Sequence, residues 1–393
     1  MHDWQELRRA IAVLLAIGIA GAPVRALVTL NDGHEHIFVN GTLGVSRDSN
    51  IFANSDNTGD FVYSTGVSIE YTRRVGWIGV NASVAGNASQ YGKLKEENFS
   101  NPSYSMELTK QSGRTTGSFT LSGARESRAD SAINVRSSSW NYNAGLNFKY
   151  PVVERVTLSG ALGYSARKYI EQTQLANLTT YSSSTDLFYL LSNERDLVGG
   201  YRYRYSESSR STSTTDQSIN GGMSGRIIRG INGSVRVGYQ IRTPHGDPTK
   251  PGRFRGLTAS AATSYAVNRK ITINGSVSKD FSTTATDASV DTTTASIESG
   301  YTYNRHWTIS GGVGWGDSRF LGHQGRIVLA SGPPVVFGKS RHDNYANWNA
   351  GLSYSLNEHF KAAVTCGNFI NWSTVPFADF VRNSWGLNFS SRW

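Results

Sequence analysis

Near the end of the chain, Trp385, Leu387, Phe389 and Trp393 alternate with Ser384, Gly386, Asn388, Ser390 and Arg392. Successive side chains of an extended strand point to opposite faces, so this stretch has one apolar and one polar face. The same period of two runs through Phe61, Tyr63, Val67, Ile69 and Tyr71; through Trp140, Tyr142, Leu146, Phe148 and Tyr150; and through Val235, Val237, Tyr239 and Ile241. It returns in Trp307, Ile309, Val313 and Trp315, and in Trp348, Ala350, Leu352, Tyr354 and Leu356, with aromatic residues at the ends of the runs. The connections alternate as well. Short turns at 73–76, 111–114, 150–155, 193–196, 229–230, 268–270, 304–306 and 357–359 are interleaved with longer polar stretches, among them 92–103, 168–182, 282–291, 318–341 and 371–382.

This pattern predicts an all-β transmembrane antiparallel up-and-down β-barrel of about eighteen strands over residues 37–393, with sixteen open if one hairpin is miscounted. The weakest segments are 37–45 and 186–191, the second because Leu187, Phe188, Tyr189, Leu190 and Leu191 do not alternate. A soluble β-sandwich or β-helix also alternates and is the competing fold. It gives no reason for strands of about ten residues throughout or for the short-long rhythm of the connections.

Residues 10–22 form one apolar run, shorter than the roughly 20 residues a helix needs to cross a bilayer. It follows Arg8 and Arg9 and precedes Val24-Arg25-Ala26, so residues 1–26 read as a secretory signal, with 27–36 a periplasmic segment before the barrel. An even strand number then leaves both termini in the periplasm of an outer-membrane protein. Cys366 is the single cysteine, which excludes an internal disulfide or a Cys-based zinc site. Glycine is abundant, at 41 residues, and proline scarce, at 9, and small polar residues fill the positions between the apolar ones.

An aromatic last residue on an alternating final strand, here Phe389 and Trp393, resembles the signal by which outer-membrane barrels are taken up by their assembly machinery. Arg47-Asp48-Ser49-Asn50-Ile51-Phe52 resembles the motif of the putative β-barrel porin type 2 family, with Arg47 where that motif carries an aromatic residue. The family motif maps to Asp48, Asn50, Ile51 and Phe52. The resemblance implies an outer-membrane barrel that accompanies exopolysaccharide biosynthesis and export, with export-system proteins as partners. From the residues themselves, Asp48 and Asn50 suit either a turn that bonds its own backbone or a contact at the pore mouth for a cation or a sugar hydroxyl.

Parity places Asn141, Asn143, Asn147, Thr157, Ser159, Ser260, Ser264, Thr308 and Ser310 on the inner face, a small polar lining that leaves an open bore. Arg202, Arg204, Arg226, Arg236 and Arg242 share that parity on neighbouring strands and form a candidate pore-lining stripe that attracts anions such as acidic polysaccharide. Glu70, Glu107, Asp280 and Glu298 share it too, and an electrically balanced lumen is equally consistent. Among aromatics, Phe188 and Trp77 have inward parity. The loop at 321–341 either folds back to constrict the pore or forms a hairpin above the membrane.

Enzymatic signatures are poor, and no catalytic residue, cofactor or metal is expected. His34 and His36 flank Glu35 without zinc spacing, Gly312 to Gly316 sits inside an alternating strand, and His323, His342 and Asp343, with Ser331 and Ser340, only imitate a hydrolytic set. The formal net charge of +10 invites nucleic acid, but the basic residues are dispersed, and none is expected as a partner. Arg210, Lys250, Arg253, Arg255, Lys339 and Arg341 are expected to meet lipopolysaccharide. The function expected is an outer-membrane pore for polysaccharide or another hydrophilic solute. The alternatives are a structural or adhesive protein with a closed lumen and, behind it, an outer-membrane hydrolase.

Overall fold

The computed structural model describes residues 27–30, 34–74, 76–130, 135–170, 175–246, 252–321, 325–327, 335–337 and 341–393. The segment expected to be a signal, 1–26, lies outside them, as do Lys250, His323, Ser331, Lys339 and Ser340.

Alternating residues in turn-bounded runs form the strands β1 (Val28–Leu30), β2 (Glu35–Asp48), β3 (Asp60–Arg73), β4 (Gly79–Tyr91), β5 (Phe99–Lys110), β6 (Thr116–Asp130) and β7 (Val135–Val153). They continue as β8 (Val156–Ile170), β9 (Leu178–Ser192), β10 (Arg195–Ser208), β11 (Ser213–Ile228), β12 (Ile231–His245), β13 (Phe254–Ala266) and β14 (Ile271–Thr283). The remainder are β15 (Ser289–Thr302), β16 (Trp307–Leu321), β17 (Gly325–Ile327), β18 (Val335–Phe337), β19 (His342–Ser355), β20 (Phe360–Ser373) and β21 (Phe380–Arg392). Apart from the short β1, β17 and β18, each strand pairs antiparallel with its neighbours in chain order, which gives an 18-strand barrel.

Closure comes from β2, which pairs β3 on one edge and β21 on the other, with Leu43 opposite both Thr65 and Phe389. Trp393 completes the seam by exchanging two backbone bonds with Val39, at 2.8 and 2.9 Å. β1 continues along the same strand, pairing Val28 with Ile37 and Leu30 with Glu35. Residues 27–36, read from sequence as a segment ahead of the barrel, thus hold β1 and the first residues of β2. Closure removes the unpaired strand edges that hydrocarbon would leave unsatisfied. Both weak segments are strands: 37–45 lies in β2, and 186–191 lies in β9, where the pairing with β10 steps from Ser192 to Leu190 and leaves Leu191 as a bulge.

Three short turns repeat one device. In each, an asparagine side chain accepts the backbone N–H groups two and three residues on: Asn268 from Lys270 and Ile271, Asn304 from His306 and Trp307, and Asn357 from His359 and Phe360, all at 2.8–2.9 Å. An Asx turn of this kind reverses the chain without glycine, and polar residues suffice because the turn sits in water. The opposite end carries the longer loops.

Large apolar side chains such as Val84 (65% exposed), Ile219 (68%) and Trp385 (60%) cover the outside, whereas the inner face is mostly serine, threonine, asparagine and glycine with charged residues among them. A sandwich or β-helix would bury those side chains between layers, so this inversion excludes both. Hydrocarbon is the solvent that such a surface fits, and paired rings such as Trp307 on Tyr354 (4.7 Å) and Trp140 on Tyr142 (5.8 Å) mark its borders.

Candidate functional site

Two features occupy the inner wall. The first is an ion-pair network on β10 to β14. Arg202, Arg204, Arg236 and Arg242 all face inward, because contacts between strands that are not neighbours can only form through the bore. Arg204 binds Asp216 at 2.7 Å and Asp280 at 3.1 Å, and Arg202 reaches the same Asp280 at 3.2 Å, four strands away. Arg242, 1% exposed, forks onto Asp216 at 2.6 and 2.8 Å. Arg236 pairs with Asp186 at 2.8 Å and lies over the Phe188 ring at 5.7 Å. Four arginines therefore meet three carboxylates on this wall, and the balance is nearly neutral. Arg226 stands apart at the short-turn rim, paired with Glu194 at 2.6 Å.

The second feature explains how Asp280 comes within reach of β10. β13 and β14 pair only as far as Ala259 and Lys279. Beyond that point β14 leaves the wall, and the hairpin it forms with β15 crosses the mouth of the barrel. Phe281 lies 3% exposed under Arg242, and the Phe281 carbonyl accepts a bond from Arg204. At the hairpin tip, the Ala285 carbonyl accepts from the Ala176 N–H at 2.8 Å, and Asp287 accepts from the Thr212 hydroxyl. Ala176 belongs to the β8–β9 connection and Thr212 to the tip between β10 and β11, which are themselves joined by the Ser209 N–H on the Asn177 carbonyl at 2.9 Å. The tip holds its shape through Asp287, at φ 63°, and through Thr284, whose hydroxyl accepts the Ala288 N–H at 3.1 Å.

The stretch 282–291, expected from sequence to be one of the longer polar loops, instead folds inward over the mouth. Of the two courses left open for 321–341, the described part is a separate two-stranded hairpin, with Gly325 opposite Phe337 and Ile327 opposite Val335. The β14–β15 hairpin folds inward, and its polar tip gave no local sign of its long-range contacts.

The family-motif residues sit at the seam. Asp48 accepts the Asn50 N–H at 3.0 Å and takes Arg382 as a two-point partner. Asn50 is fully buried. Its amide donates to the Asn54 carbonyl (2.7 Å) and to Asn57 (2.9 Å) and accepts from the Asn54 N–H (3.3 Å). Ile51 is 1% exposed, and the Ser55 N–H bonds the Phe377 carbonyl at 3.2 Å, so the loop is tied to the β20–β21 connection. With their polar atoms engaged in these bonds, Asp48 and Asn50 organise a loop.

Other expected residues fall elsewhere. Trp77 is 84% exposed on a short turn and is not on the inner wall. Arg341, expected to face lipopolysaccharide, is buried at 1% against Asp343, with its guanidinium over Phe320 at 4.8 Å. His342 contacts Asp317 on the outer face of β19, and Asp343 points inward to Arg341 and Ser373, so the two lie on opposite faces and form no triad. Glu70 pairs with Arg392 at 3.0 Å. Among the described residues, no group of three His, Cys, Asp or Glu side chains could hold a metal ion. Stacked inward rings were missed: Tyr345 on Phe369 at 5.2 Å and Phe369 on Phe380 at 5.6 Å, which the strand registers place on one face.

Residues 212–392 match the family model described as Putative beta-barrel porin 2. This is the family that the motif at 48–52 resembles, and the match falls on the other end of the chain. The chain is similar in structure to OpdK of Pseudomonas aeruginosa, solved with vanillate, at 10% identity, with 91% of this chain and 99% of that one covered and a TM-score of 0.48. It is also similar to OccK2 of Pseudomonas aeruginosa, solved in complex with glucuronate (11% identity, 91% and 98% covered, TM-score 0.49). The FrpB iron transporter of Neisseria meningitidis gives 10% identity, 91% and 81% covered, and a TM-score of 0.48. No curated protein matches the sequence. The chain is a porin-like β-barrel of the outer-membrane kind.

Proposed function

We propose that this barrel is an outer-membrane conduit for hydrophilic solutes, with acidic polysaccharide or its fragments as cargo and an exopolysaccharide export system as its setting. The observation that carries the reading is the inward β14–β15 hairpin, held over a wall of small polar side chains by the Arg204–Asp280 pair. A passage lined by serine, threonine and asparagine needs a local constriction to select its solute, and the hairpin supplies one beside a cluster of charged groups that orient ions. The short-turn end then faces the periplasm with both termini. Outer-membrane lipid and lipopolysaccharide surround the wall, the barrel-assembly machinery reads Phe389 and Trp393, and export-system proteins meet the rim.

A second reading, a structural or adhesive protein with a closed lumen, draws on the three loop ends bonded to one another across the mouth. Swelling of liposomes that contain the refolded full chain separates the two. Iso-osmotic neutral and acidic sugars of graded size enter and swell the liposomes if the barrel conducts. Absence of swelling with every sugar, from protein shown to be folded and inserted, supports the closed lumen and removes the conduit.

A further inference from the structure

Arg167 on β8 differs from the arginines of the ion-pair network. Its Nε donates to the Asn141 carbonyl oxygen at 2.8 Å, and among the described residues no carboxylate pairs with it. That bond also fixes the Asn141 amide, because the opposite orientation would set NH2 against a guanidinium. The amide nitrogen so directed is buried and unpartnered, as is the Thr283 hydroxyl on the facing hairpin. All three groups line a cavity of about 230 Å3 between the inner wall of β7 to β9 and the hairpin tip, with Asn143, Ser165 and Thr180 among its other walls. This is several times the roughly 30 Å3 that one water takes in the liquid.

A guanidinium, a free amide donor and a hydroxyl, with no acid among the described lining residues, complement an anion with hydroxyl groups on its body. We infer that this cavity binds the carboxylate of a small hydroxylated acid of the sugar-acid class. Arg167 and Asn141 hold the carboxylate, and Thr283 bonds it from the hairpin. Because Thr283 belongs to the hairpin and the other two to the wall, an occupied site ties the hairpin inward. Binding here does not depend on conduction, so it stands apart from the conduit reading.

Calorimetric titration of the refolded full chain in detergent with galacturonate, galactose and sulfate tests the assignment. Galacturonate is expected to bind saturably and galactose not at all. Arg167→Gln should weaken galacturonate at least about tenfold and Thr283→Val a few-fold, in protein whose gel migration still shifts on heating. Asn141→Asp keeps an acceptor for Arg167 and puts a carboxylate where the ligand's would lie, so it should abolish binding even if Arg167→Gln does not fold. Equal binding of galactose, tighter binding of sulfate, or wild-type affinity in Asn141→Asp would overturn the proposal.

Discussion

At the scale of single residues, the four inward arginines of the β10–β14 network share three carboxylates, Asp186, Asp216 and Asp280. Asp216 is the most constrained, since it holds Arg204 and the buried Arg242 together. Removing one partner of a buried pair leaves the other charge without compensation, at a cost of about 3–5 kcal/mol. Asp216→Ala is therefore expected to lower the unfolding midpoint in urea by a stability loss of that order, with Arg226→Ala at the exposed rim far milder. At the loop end of β3, burial raises the pKa of Asp60, but the N–H groups of Leu94, Lys93 and Phe61 more than offset this and hold its carboxyl below the usual value. A depressed folded-state pKa stabilises the loop above the unfolded value, and that contribution is lost as pH falls through the folded one. Amide exchange at Lys93 and Leu94, corrected for intrinsic rates, should accelerate between about pH 7 and about pH 3, and less so in Asp60→Asn. The inward parity of Arg202, Arg204, Arg236 and Arg242 was legible in the alternation, and Asp280 was one of four inward acids, with Glu70, Glu107 and Glu298, that could balance them. Asp186 was missed because the run 187–191 masks its parity, and Asp216 because it lies in a polar stretch with few apolar markers.

At the scale of elements, the wall and its turns follow from local patterns. Strand period, Asx turns at Asn268, Asn304 and Asn357, and closing aromatics are all short-range signals, so strand order and the eighteen-strand count were readable. The β14–β15 hairpin was not. Its tip has the same serine- and threonine-rich composition as a solvated loop, and what turns it inward is its contact with Arg204, Ala176 and Thr212, residues far away in sequence. In a Cys366→Ser background, Ala176→Cys with Ala285→Cys should form a disulfide on oxidation, since the two backbones are hydrogen-bonded at 2.8 Å. The band should return to the reduced position with thiol. Two free thiols after oxidation of folded protein would place the hairpin outside the mouth.

At the scale of the whole molecule, an apolar exterior, a polar interior and a closed ladder make one argument. Each would be costly in a water-soluble fold, and together they suit a wall between hydrocarbon and water. In the proposed conduit the hairpin sets the width of the passage, and the central claim is that the barrel conducts through a mouth narrowed by residues 283–288. Single-channel recording in planar bilayers tests it most directly, comparing the wild-type chain with a variant in which 283–288 are replaced by a two-residue turn. The account predicts small, steady steps from the wild type and steps at least about twofold larger from the variant. Equal conductance in the two, or none from either when both are folded and inserted, would contradict it.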